Sequence, residues 1–120
     1  MLERRENIIL EKTEAFADRI VKMYKHVLKK NSCYSDILRQ VLRSGTSIGA
    51  NAAESRFAQS RADFLTKLTI ALKEANETKY WLGRLHSGNN LTEQEYESIN
   101  LDNEEIIKLL TSITGTVKGV

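Results

Sequence analysis

The sequence predicts an all-α protein, a single antiparallel up-down-up-down four-helix bundle over residues 1–120, and three observations predict it. Proline is absent, which suits long uninterrupted helices and disfavours a turn-rich β design. Four segments repeat apolar residues at three- and four-residue spacing, the signature of one buried helical face. The separators between them are short, and short connections favour antiparallel neighbours.

The first helix is expected over about residues 3–30. Ile9, Phe16, Ile20, Met23 and Val27 form its stripe. Lys25, His26, Lys29 and Lys30 close it, where positive charge suits the carbonyl end of the helix dipole. Asn31-Ser32-Cys33 then breaks the pattern, with Ser32 or Ser35 as N-cap for the next helix.

The second helix is expected over 34–57, with Tyr34, Ile37, Leu38, Val41, Leu42, Ile48 and Ala52 inward. Its middle is rich in small residues from Ser44 to Ala53, including Gly45 and Gly49. Glycine costs up to about 1 kcal/mol inside a helix. A bundle tolerates that where a second backbone comes close, so this stretch is read as a tight helix–helix contact.

Ser60-Arg61-Ala62-Asp63 resembles a capping box and opens the third helix, 61–86, with Phe64, Leu68, Ala71, Ala75, Leu82 and Leu85 as its seam. Ile70 and Trp81 lie round the helix from that seam. A bundle helix needs one apolar face, so this pair reads either as an oligomer interface or as cover for a helix end. Ser87-Gly88-Asn89-Asn90 is a turn in which Gly88 suits the left-handed conformation that ends a helix. Thr92-Glu93-Gln94-Glu95 is a full capping box for the fourth helix, 93–117, and Gly115 and Gly119 suggest a frayed end.

The net charge of +2 hides an asymmetry: residues 1–90 hold sixteen Lys/Arg against ten Asp/Glu, residues 91–120 two against six. Lys22, Lys25 and Lys29 form an i, i+3, i+7 row, and Arg39 and Arg43 lie one turn apart. Such rows neutralise a phosphate backbone, and they are also what a solvated helix face displays.

Catalytic and metal chemistry finds little to work with. A di-iron bundle wants Glu-x-x-His, but Met23 and Gly83 stand three residues before His26 and His86. One cysteine, Cys33, gives no disulfide, Cys-rich zinc site or haem attachment, and no spacing places a histidine beside it. Glu74 and Glu77 read as an ion-paired or solvated face. No metal site, no cofactor and no enzymatic activity are expected. No signal sequence or membrane span is evident, so a cytoplasmic protein without a membrane partner is expected.

The stretch Leu42-Arg43-Ser44-Gly45-Thr46-Ser47-Ile48-Gly49-Ala50-Asn51-Ala52-Ala53-Glu54-Ser55 resembles the signature of a bacterial family. These are the four-helix-bundle proteins encoded in intervening sequences of 23S rRNA genes. The similarity runs on through Ala58–Phe64, Lys67–Ala75 and Glu77–Leu82, about 45 residues of helices two and three. The resemblance implies an up-down bundle assembling as a ring-like homopentamer. A related accessory protein of diversity-generating retroelements forms a basic pentameric barrel that binds nucleic acid and a reverse transcriptase. Arg43, Ser47, Asn51 and Glu54 match signature positions. Their expected roles are structural, with Ser47 and Asn51 bonding across a close helix contact and Glu54 pairing an arginine.

These readings converge on a homo-oligomeric helical scaffold contacting RNA or DNA through Arg39, Arg43, Lys22, Lys25 and Lys29. The alternative is a protein-binding adaptor using Ile70 and Trp81.

Overall fold

The computed structural model describes residues 2–30 and 35–119, which form α1 (Leu2–Lys30), α2 (Ser35–Ser55), α3 (Arg61–Ser87) and α4 (Glu93–Lys118). The expectations for Asn31, Ser32, Cys33, Tyr34 and the Ser35 side chain fall outside what is described. The 29 residues of α1 span about 43 Å at 1.5 Å per residue, close to the 44 Å long axis of the molecule.

Side-chain contacts give the direction of every neighbour. Arg5, Lys12, Arg19 and His26 of α1 meet Thr116, Glu105, Asp102 and Glu95 of α4, so one helix climbs as the other descends. Ser44 and Glu54 of α2 meet Thr78 and Lys67 of α3. Arg61, Lys79 and His86 of α3 meet Val117, Glu104 and Glu93 of α4. Gly45 and Gly49 of α2 lie against Ile20 and Thr13 of α1. Each helix therefore runs against both neighbours, the expected up-down-up-down order.

The tight contact anticipated in α2 is made with α1. A Cβ on Gly49 would stand 3.1 Å from the Thr13 carbonyl oxygen, and one on Gly45 2.9 Å from Ile20 Cγ1. The α2–α3 side carries a buried polar pair instead: Thr78 Oγ1 donates to Ser44 Oγ at 2.9 Å, and Ser44 Oγ to the Gln40 carbonyl at 2.8 Å.

Helix ends mostly follow the local chemistry. Ser60 Oγ accepts from the Asp63 amide, but Asp63 reaches back to the Gln59 amide, not that of Ser60, so the box is displaced by one residue. Thr92 and Glu95 close a reciprocal capping box. α2 stops at Ser55, two residues before the expected end, and its chain tightens into i→i+3 bonds through Ala58. Gly88 is not left-handed (φ −86°); the neighbouring Asn89 takes that conformation (φ 63°). Asn tolerates it because its short polar side chain bonds locally. At the far end Gly115 stays helical, and Gly119 (φ 79°) caps α4 cleanly where fraying was expected.

The core gathers the expected stripes: Ile9, Phe16, Ile20 and Val27; Leu38, Val41 and Ile48; Leu68, Leu82 and Leu85; Ile99, Ile106, Leu110 and Ile113. Met23, Phe64 and Tyr96 sit at its margin. Polar residues are buried with it that a search for apolar residues passes over, among them Thr13, Ser44, Thr78 and Asn103.

Candidate nucleic-acid interface

Charge distribution is the property that positions a polyanion, and α1 divides its charges by face. Arg5, Lys12, Arg19 and His26 recur every seven residues and all point at α4. Arg5 donates to Ser112 Oγ (2.7 Å) and Thr116 Oγ1 (3.0 Å), and Arg19 Nη2 to Ser98 Oγ (2.6 Å). Lys12 Nζ stands 3.3 Å from Glu105, and His26 Nε2 3.2 Å from Glu95. From the other flank, Lys79 pairs with Glu104 (2.9 Å) and His86 Nε2 with Glu93 (2.7 Å).

Among the described residues five of the six carboxylates of α4 thus meet a basic side chain, two of them a histidine, Glu97 being the exception. The matching shows in proton affinities. The hydrogen bond with His86 holds Glu93 below its ordinary value. The Thr92 amide, followed by the charges of Lys30 and His26, does the same to Glu95. Glu104 raises Lys79 above its ordinary value. Much of the acidity of the fourth helix thus faces basic side chains of α1 and α3.

Lys22, Lys25 and Lys29 stand on the outer side of α1, away from its core stripe, with Lys22 sharing a groove with Arg19, His26 and Glu95. All three are exposed and in no ion pair among the described residues. Glu11, Glu14 and Asp18 are exposed earlier on the same helix, so the basic character belongs to its second half. Arg39 and Arg43 are placed differently. Arg39 is paired with Asp36. Arg43 is drawn toward α3, donating to Glu74 at 3.0 Å and to Gln40 at 3.0 Å and pairing with Glu77. Among the described residues the two arginines are thus engaged by carboxylates, while the three lysines are not.

The signature residues work mostly within α2. Ser47 Oγ donates to the Arg43 carbonyl (2.7 Å) and Asn51 Nδ2 to the Ser47 carbonyl (2.9 Å), so neither bonds across to another helix as expected. Glu54 pairs with Lys67 (3.3 Å), not with an arginine. Trp81 is half-buried against the core and donates its indole N–H to Glu77 (3.0 Å), the carboxylate Arg43 also holds. Ile70 is 37% exposed and lies eleven residues from Trp81, about 16 Å of helix, with Lys73, Glu74 and Glu77 between.

Sequence reading passed over Tyr80 and Arg84. The Arg84 guanidinium carbon lies 5.1 Å from the Tyr80 ring centroid, and Trp81 meets the same ring edge-on at 5.1 Å. Their i, i+4 spacing was the available signal.

Among the described residues no helix is long and apolar enough to cross a membrane, and no cluster of three or more His, Cys, Asp or Glu is placed to hold a metal ion. A family profile described as "23S rRNA-intervening sequence protein" matches residues 5–112. The chain belongs to the 23S rRNA-intervening sequence protein family. One similar solved structure is a protein of unknown function from the S23 ribosomal protein family of Bacteroides thetaiotaomicron. It is 52% identical, with a TM-score of 0.88, over 92% of this chain and 97% of that one. No curated protein matches. For this member of the 23S rRNA-intervening sequence proteins, the residues quoted from helices two and three thus led to the right family.

Proposed function

We propose that the protein is a non-enzymatic, homo-oligomeric scaffold that holds RNA or DNA by its phosphate backbone. The observation that carries this is the contrast on α1. The cations facing α4 are matched by side-chain partners, while Lys22, Lys25 and Lys29 face outward with none among the described residues. Phosphate contacts by such lysines give binding that is sequence-tolerant and falls steeply with salt. Assembly as a homopentamer, which the family resemblance suggests, would repeat the row around a ring and multiply a weak contact by avidity.

The test is a salt titration of duplex RNA and DNA against the nuclease-treated protein, with its mass followed by light scattering. Replacing Lys22, Lys25 and Lys29 with Gln is expected to flatten the plot of log affinity against log salt by up to roughly 2.7, about 0.9 per phosphate contact. Unchanged binding and slope would reject the surface. A protein partner that survives nuclease and is lost with Trp81→Ala would favour the adaptor reading.

A further inference from the structure

α3 presents a second cationic face, and its composition differs from that of α1. Thr66, Ile70, Lys73, Asn76, Tyr80 and Arg84 are its exposed line, at the three-four spacing of a single stripe. Beyond Asp63, α3 contains two carboxylates, Glu74 and Glu77, and both are held by Arg43 from α2. Asp36, on the same side of α2, is held by Arg39. Lys73 and Arg84 have no carboxylate partner among the described residues. The arginines read from sequence as phosphate ligands therefore engage these acids, and Arg43 offsets one of the two negative charges of Glu74 and Glu77 on α3.

In the middle of this stripe stands an aromatic ring. Tyr80 is 57% exposed, and it already carries a planar cation, Arg84, over its face. Lys73 lies about 10 Å before it along the helix and Arg84 about 6 Å after. An exposed ring flanked by cations, with the nearby acids engaged by Arg43, suits unpaired bases: each base has a π-face to stack on the ring face that Arg84 leaves uncovered, and the cations take the backbone. A duplex hides its base faces and gains nothing from the ring.

We propose that the outer face of α3 is a docking platform for single-stranded nucleic acid, with a base stacked on Tyr80 and flanking phosphates on Lys73 and Arg84. The site rests on reading the chain as a nucleic-acid scaffold, but it is independent of the α1 lysines. Trp81 reports on it directly, being the chain's one tryptophan and in edge contact with Tyr80.

The experiment titrates a short single-stranded oligoadenylate, and a blunt duplex as control, into the full chain while Trp81 emission is recorded. Saturable quenching by the single strand and not by the duplex is expected. Tyr80→Ala should weaken single-strand binding at least about fivefold, and Tyr80→Phe should retain it. Lys73→Gln and Arg84→Gln should each reduce the salt slope by about 0.7. The variant lacking the three α1 lysines should still quench.

Four results would overturn the site. One is a folded Tyr80→Ala protein that binds as tightly as the parent. Another is loss of all single-strand binding in the α1 variant. A third is lysine-dependent duplex binding with no response to single strands, which would leave the scaffold reading standing alone. The last is a Tyr80→Ala protein that changes mass in light scattering but not affinity, which would make the face a contact between chains.

Discussion

Asn103 donates its side-chain amide to the main-chain carbonyl of Ala75, 2.9 Å away, at a point in the bundle with no solvent exposure. Its own carbonyl oxygen is also buried and meets no donor among the described residues. The bond ties α4 to one particular carbonyl of α3, while the unpaired oxygen counts against stability. A buried polar group of this kind sets register better than it adds stability.

Two substitutions separate the loss of the polar side chain from the loss of its volume. Asn103→Ala removes the bond and opens a cavity, with an expected loss of about 1–3 kcal/mol in urea denaturation. Asn103→Leu removes the same amide but refills the volume, so it should be clearly more stable than the alanine variant. If the two unfold at the same urea concentration, the cavity has no energetic consequence.

Gly49 and Gly115 should respond to alanine with opposite sign. At Gly49 the new Cβ meets the Thr13 backbone, which has no rotamer with which to yield, so α1 must shift. A loss of about 1–3 kcal/mol is expected despite the better helix propensity. Gly115 has nothing within 4 Å, and Gly115→Ala should gain up to about 1 kcal/mol. Thermal midpoints moving in the same direction would contradict the helix spacing described.

The start of α4 should weaken in acid. Glu93 and Glu95 have carboxyls held below the ordinary 4.5, by His86 and by the Thr92 cap respectively. A lowered folded pKa contributes stability that is present above 4.5 and lost as pH falls through the folded value. Circular dichroism during acid titration should show that loss, and Glu95→Gln should reduce its share. Thr92→Ala removes the cap itself and should cost about 1 kcal/mol at neutral pH. An acid transition that Glu95→Gln leaves unchanged would assign the pH dependence elsewhere.

Arg39 and Arg43 provide the control for the α1 surface. Their guanidinium groups are engaged with Asp36 and with Glu74 and Glu77. Replacing both with Gln should lower the salt slope of duplex binding far less than the triple lysine change does. A larger drop from the arginine pair would put the duplex on α2.

The stripes of Ile9, Phe16 and Ile20 and of Ile99, Ile106 and Leu110 were legible because burial and helical spacing make the same demand on sequence. The capping box at Thr92 was legible because it is closed by residues three apart. Asn103 and Thr78 were not, since a buried polar side chain is recognisable only from the partner it meets across helices. The seven-residue series Arg5, Lys12, Arg19 and His26 was visible as spacing, but its role depends on α4 lying alongside. The carboxylate partners of Arg43 were hidden for the same reason, since Glu74 and Glu77 come from the next helix. At Asn89, either residue of a Gly-Asn pair can take the left-handed turn, and the local pattern does not decide which.

The two seams of α1 resist opening by different means. Toward α2 the backbones touch at Gly49, a contact that added salt leaves alone. Toward α4 the ladder is built from long, partly exposed polar side chains, with ion pairs that a Debye length of about 8 Å at physiological salt weakens. Amide protons of α4 should therefore exchange by a sub-global opening that grows easier with ionic strength, while those of α2 wait for the whole domain to unfold. The fourth helix is then the segment a protease reaches first, and its release would uncover Arg5, Lys12 and Arg19 together.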